Sequence, residues 1–155
     1  THCHLDHAFG ANYISNTYPG IPFLAHRAES MFIDSALSHA HSFGMTMEQP
    51  PELTSYIDED ESISFGNTLL EVICVPGHSP GGLCFYNKES GDLFPGDVLF
   101  MGSVGRSDLP GGNHSQLIDG IKRKLLILPD DVVVYPGHGE YTTIGNEKAL
   151  NPFLK

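Results

Sequence analysis

The chain has 155 residues, 40% of them hydrophobic, which suits one domain of ordinary size (1–155) with a core of its own. Eight Lys and Arg against 19 Asp and Glu leave a formal net charge of −11, which argues against a nucleic-acid partner, since that needs a basic face. No apolar run is long enough to span a membrane, and three widely spaced cysteines (Cys3, Cys74, Cys84) do not make a disulfide framework, so a reducing cytoplasm is the expected compartment.

The chain opens on its densest chemistry, Thr1-His2-Cys3-His4-Leu5-Asp6-His7. Extended backbone alternates its side chains, so His2 and His4 share one face and Cys3 takes the other. A sharp turn must follow for Asp6 and His7 to reach the same region. One tetrahedral metal cannot easily take four ligands from so short a run. Two adjacent metals can, with His2 and His4 on one and Asp6 and His7 on the other, provided later segments complete each shell.

Asp6 can open a helix through Ala8, Asn12, Ile14 and Ser15 that stops before Pro19-Gly20. Ile21 to His26 reads as a short strand, which Pro22 restricts to a start or an edge. Helical spacing of Met31, Phe32, Ser35, Ala36, His39 and Ala40 predicts a helix from Glu29 to His41. Met45 to Glu61 reads as a loop, with Pro50-Pro51 and a solvated acidic run, Asp58-Glu59-Asp60-Glu61, that lacks the spacing of a calcium loop. Ser62 to Phe65 and Thr68 to Val75 make a strand pair around Gly66-Asn67, followed by strands at Gly82–Asn87 and Asp92–Pro95. Phe100 to Gly112 is a Gly-rich loop. Asn113 starts a helix that presents Leu117, Ile118, Ile121 and Leu125 on one face and ends at Pro129. Val132 to Tyr135 is a buried strand, and Asn146 to Leu150 a last helical turn. Strands with helices between them predict a layered α/β arrangement.

Three strand ends repeat one pattern: β-prone residues, then Gly with or without Pro, then a His or Asp. They are Pro76-Gly77-His78, Pro95-Gly96-Asp97 and Pro136-Gly137-His138. A ligand just past a strand end sits on a loop fixed by a rigid sheet. Cys74 and Cys84 lie in apolar runs and read as core residues. His26, His39, His41 and His114 read as ordinary surface or boundary residues. No His-base arrangement activates Ser79 as a nucleophile.

The pieces THCHLDH, PGHSPGG, PGD, GRSDLPGGN and YPGHGEYTTIGNEKALNPFL run from Thr1 to Leu154. Through them the chain resembles the metallo-β-lactamase fold superfamily, and within it the glyoxalase II-like hydrolases. The resemblance implies a four-layer αββα sandwich. It implies two divalent metals, zinc first with iron or manganese as alternatives. His2, His4 and His78 would hold one metal, and Asp6, His7 and His138 the other. Asp97 would bridge them, with Asp6 and Asp97 the carboxylates of the reacting centre. The implied reaction is attack of a metal-activated hydroxide on a small-molecule thioester such as S-lactoylglutathione. A mononuclear-iron sulfur dioxygenase and a lactone or β-lactam hydrolase are the alternatives on the same scaffold.

The family's full-length glyoxalase II continues past Asn151-Pro152-Phe153-Leu154 into a helical glutathione-holding domain, so those contacts are not carried over. Arg106 is placed either to contact an anionic substrate or to pair with Asp108. The chain begins without Met, and the resemblance implies that N-terminal strands of roughly fifty residues, half such a domain, precede it. An open sheet edge left without them would favour assembly with a second chain.

Overall fold

Residues Thr1 to Lys155 are all described by the structure, a computed structural model. The chain begins with α1 (Leu5–Ala8), α2 (Ala11–Thr17) and β1 (Leu24–Ala25). A 3-10 turn (Arg27–Glu29) leads into α3 (Ser30–Asp34) and α4 (Ala36–Ser42), and then comes β2 (Ser55–Tyr56). The sheet strands follow: β3 (Ser62–Phe65), β4 (Thr68–Cys74), β5 (Leu83–Asn87) and β6 (Asp92–Gly96). A small hairpin, β7 (Leu99–Phe100) with β8 (Ser103–Val104), precedes α5 (His114–Gly120), which runs on as a π-helical turn over Ile121–Leu125. The chain closes with β9 (Val133–Pro136), β10 (Thr142–Thr143), α6 (Ile144–Leu150) and a 3-10 turn at Pro152–Leu154.

The central sheet has six strands in the order β10-β9-β6-β5-β4-β3. Pairing is antiparallel from β3 through β6 and between β9 and β10; only β6 and β9 run parallel. Two successive antiparallel steps make β4 run the same way as β6, and the parallel step makes β9 do so too. The C-terminal ends of β4, β6 and β9 therefore open at one end of the sheet. His78, Asp97 and His138 each follow one of these ends, so the topology gathers them before any side-chain contact is made. The N-terminal segment joins them there, because the Thr1 carbonyl accepts the Leu83 N–H at 2.9 Å.

Period-two alternation assigns the sheet's two faces. Cys84, Tyr86, Leu93 and Val134 point to one face, where Leu117, Ile121 and Leu125 of the α5 segment complete the main core. Val72 and Leu83 point to the other, where Leu24 of β1 and Ile57, just past β2, cover them. Beyond that pair, Ala25 packs with Phe32, Ile33, Ala8 and Cys3. The succession is helix, sheet, short sheet, helix, the αββα layering that the family resemblance implies. No helix is long and apolar enough to cross a membrane.

Several element boundaries depart from the sequence reading. The helix expected from Asp6 to Ser15 is two, broken at Phe9-Gly10, where glycine is a poor helix former. The helix expected over Glu29–His41 is divided at Ser35, whose hydroxyl turns back to donate to the Met31 carbonyl at 2.7 Å and competes with the helical ladder. The strand at Ile21–His26 shrinks to two residues. The supposed loop at Met45–Glu61 supplies their partner β2, and the Gly-rich loop at Phe100–Gly112 contains the β7–β8 hairpin. The start at Asn113 holds: its side chain accepts the Gln116 N–H at 3.0 Å, an N-cap that satisfies an otherwise free donor. Thr143 caps α6 in the same way, accepting from Asn146.

Candidate metal centre

All seven residues singled out by the sequence meet at this end of the sheet, in two groups. His2, His4 and His78 form one; Asp6, His7, Asp97 and His138 form the other. In the first, His78 Nε2 stands 3.0 Å from His4 Nδ1 and 3.2 Å from His2 Nε2. In the second, His138 Nε2 stands 3.1 Å from Asp6 Oδ2, and His7 Nε2 stands 3.3 Å from Asp97 Oδ1. The other Asp97 oxygen lies 3.7 Å from His78 Nε2 and 3.6 Å from His138 Nε2, so this one carboxylate reaches both groups.

Local structure explains the convergence. His2 and His4 lie on the same side of an extended segment, while Cys3 turns into the apolar cluster behind it. Burial, with Glu29 adding to it, pushes the Cys3 thiol up to about 12, as suits a side chain packed in that cluster and outside both donor groups. α1 starts directly after His4 and swings Asp6 and His7 round to the second group. Gly137 is a steric requirement: a Cβ there would overlap Asp97 Oδ1 and come 2.8 Å from His7 Cε1.

The donor atoms fit a cation better than they fit one another. His78 Nδ1 lies 2.7 Å from the Arg106 carbonyl, which can only accept; that nitrogen carries the proton and Nε2 turns a lone pair toward His2 and His4. Three imidazole nitrogens thus face one point. His7 Nε2 and Asp97 Oδ1 are buried and lack a hydrogen bond despite their 3.3 Å separation. Leaving such groups unsatisfied costs about 1–3 kcal/mol each, and a shared cation would satisfy both.

The electrostatics agree. Burial, then the neighbouring His7, His4 and His78, holds the His2 imidazole far below its ordinary value. Burial and then His78 bring His4 down to about 4. Both rings are therefore neutral at pH 7, the form that binds metal. Burial pushes the Asp97 carboxyl up, but His7, with His78 and His138 beyond it, outweighs this and holds it below the usual carboxylate range.

A cavity of about 820 Å³ opens onto both groups. His4, Asp6, His78 and Asp97 form its floor, and Phe32, Phe43, Met45 and Leu109 contribute apolar wall. His39 also lines it; the residue is exposed, as a surface or boundary position should be, but its place beside the donor groups was not read from the sequence. The sequence signal was weak: His39 and Phe43 sit on α4 or just past its end as exposed residues, and nothing in their spacing marks a cavity wall. Arg106 borders the cavity and is also paired with Asp108, by two bonds of 2.8 Å. The remaining histidines, His26, His41 and His114, lie outside both groups.

The sequence profile of the Metallo-beta-lactamase superfamily matches residues 1–138. The chain is 36% identical over 160 residues to the hydroxyacylglutathione hydrolase GloC of Haemophilus influenzae, covering 99% of this chain and 73% of that protein. It is 35% identical to the probable metallo-hydrolase YqgX of Bacillus subtilis, with the same coverage. Among solved structures, TTHA1623 in a di-iron-bound form superposes with a TM-score of 0.89 at 38% identity, over 99% of this chain and 75% of that one. ETHE1 from Myxococcus xanthus superposes at 0.75 with 25% identity, over 98% and 59%. The fold, the two donor groups and these similarities together establish that the chain belongs to the metallo-β-lactamase superfamily.

Proposed function

We propose that the chain is a binuclear metal-dependent hydrolase of the glyoxalase II type that cleaves a thioester, with S-lactoylglutathione as the representative substrate. The observation that carries this reading is the pair of donor groups sharing Asp97 beneath an apolar-walled cavity. His2, His4 and His78 would hold one ion, Asp6, His7 and His138 the other, and Asp97 both. Five imidazoles and two carboxylates suit zinc, and iron or manganese would also be accepted. Bound there, two divalent ions supply Lewis acidity toward a carbonyl oxygen and a water acidified to near neutral pH.

The chain's own residues do the rest. The Arg106 carbonyl fixes the His78 ring, and α1 fixes Asp6 and His7. Asp6 turns Oδ2 toward His138 Nε2 at 3.1 Å, so its carboxylate serves the second group. The apolar walls offer a surface for the acyl or sulfur-borne chain. No side-chain nucleophile is required; Ser79 Oγ is buried without a hydrogen-bond partner.

Similarity to a hydroxyacylglutathione hydrolase supports the thioester reading. Turnover of S-lactoylglutathione by metal-loaded protein tests it. Hydrolysis should exceed a His2→Ala control by at least about 10²-fold, the scale on which removing a centre's electrostatic stabilisation acts; equal rates would defeat the reading. A mononuclear-iron sulfur dioxygenase, the alternative that the family resemblance carries, is the second reading and predicts one iron per chain and oxygen uptake. Likeness to the B3 metallo-β-lactamase BLEG-1, at 37% identity, makes β-lactam and lactone substrates the third arm of the same assay.

A further inference from the structure

Glu29 is wholly buried, at the end of the 3-10 turn, and no Lys or Arg pairs with it. Its two oxygens accept from two different segments. Oε2 takes the Cys3 N–H at 2.8 Å, and Oε1 takes the Gly81 N–H at 2.7 Å. Cys3 lies between His2 and His4, and Gly81 lies three residues after His78. The approach is close: a Cβ on Gly81 would stand 2.9 Å from Glu29 Cγ and 2.7 Å from His26 Nδ1, which is why this position takes glycine.

We propose that Glu29 is a positioning residue for the first metal site, its carboxylate setting the distance between the segment that carries His2 and His4 and the loop that carries His78. This rests on the reading that those three histidines hold a metal. The physical reason is leverage. Metal–nitrogen bonds of about 2.0–2.1 Å tolerate little drift, and the three ligands come from segments more than seventy residues apart in the chain. The only nearby backbone tie between them is the bond from Leu83 to Thr1, at the outer end of the segment. Glu29 adds a rigid two-point brace at its middle. Partners outside a metal's own ligands typically change metal affinity by about 10–100-fold.

A matched control exists in the same molecule. Glu147 is also buried and accepts from Thr142 at 2.7 Å, Asn151 at 2.7 Å and Gly102 at 3.0 Å, but none of these residues neighbours a first-site histidine. Replacing either glutamate by glutamine keeps its size and turns one acceptor into a donor facing a donor. The contrast separates loss of buried hydrogen bonds in general from loss of this particular brace.

Cobalt(II) is titrated into metal-free wild-type protein, E29Q, Gly81→Ala and E147Q against a chelator of known affinity, and the visible ligand-field spectrum is recorded. E29Q should lower first-site affinity by about 10–100-fold and change the spectrum. Gly81→Ala, which displaces the carboxylate without removing it, should act in the same direction. E147Q should lower the unfolding midpoint and leave cobalt affinity within twofold. Wild-type affinity and spectrum in both E29Q and Gly81→Ala, or an equal loss in E147Q, would overturn the brace while leaving the metal site standing. Failure of wild-type protein to bind cobalt would overturn both.

Discussion

Arg106 and Asp108 face each other side chain to side chain, Nε to Oδ1 and a terminal guanidinium nitrogen to Oδ2, both at 2.8 Å. The arginine borders the cavity, so the one cation near an anionic substrate is already engaged. Its bond also holds Asp108 down to about 2, so the pair stays ionised at any working pH. With a formal charge of −11, the chain offers an anion no other help at long range. Asp108→Asn should therefore lower KM for S-lactoylglutathione several-fold with kcat little changed. The gain should shrink as salt rises, because both groups are exposed and screened over about 10 Å at 0.1 M. Steady-state kinetics at two ionic strengths decide it; a KM indifferent to the substitution would mean that Arg106 only ties its loop.

Acid should unfold the metal-free protein through its histidines. In the unfolded chain His2 and His4 titrate near 6.5. In the folded chain burial and neighbouring imidazoles hold both lower, His4 at about 4. Between those values the unfolded state binds more protons, so this stability is fully present above about pH 6.5 and is lost as pH falls toward 4. Asp97, also held low, adds a loss in the same direction at still lower pH. Urea midpoints of metal-free protein at pH 7, 5.5 and 4.5 should fall in that order. A flat series from 7 to 5.5 would contradict the burial of these rings. Bound metal should raise the whole curve, since metal and proton compete for the same nitrogens.

The reach of the sequence follows from how local each signal is. The seven donor residues were readable because each sits in a short pattern whose geometry is fixed by near neighbours: alternation for His2 and His4, the turn that follows them for Asp6 and His7, a strand end with glycine for His78, Asp97 and His138. Convergence of those strand ends also follows from order, once β4, β6 and β9 run alike. Glu29 was not readable. As a carboxylate at a helix start it reads as solvated, and its partners lie 26 and 52 residues away. The break at Ser35 depends on a hydroxyl rotamer, and β1–β2 is a two-residue pairing with no alternation to betray it. Arg106 had two readings of equal standing because Asp108 and the cavity compete for one guanidinium.

The cavity walls make a separate claim about substrate. Phe43 and Leu109 both line it, one from the end of α4 and one from the loop before α5. Phe43 is 74% exposed, an apolar ring with nothing packed on much of its surface. Phe43→Ser or Leu109→Ser should raise KM for a thioester with a long apolar acyl group by about 10-fold, the equivalent of ~1.5 kcal/mol of lost apolar contact. An acetyl thioester should be nearly unaffected, and kcat should stay within about twofold for both because neither residue belongs to the donor groups. Equal effects on the two substrates would show that the walls act on folding or closure instead of on the acyl chain.

Asp97 should be the residue whose loss is felt at both ions. It emerges one residue beyond β6, the strand paired with both β5 and β9, and its oxygens reach His7 on one side and His78 and His138 on the other. Asp97→Asn keeps the shape but removes the negative charge that two adjacent dications share. Metal content after exhaustive dialysis should then fall from two ions per chain to one or fewer, and thioester turnover by at least about 10²-fold. His138→Ala touches only the second group, whose His138 and Asp6 are more than half exposed, and should spare the buried first ion. The two variants together test the bridging geometry: if Asp97→Asn and His138→Ala leave the same single ion with the same affinity, Asp97 serves the second group alone.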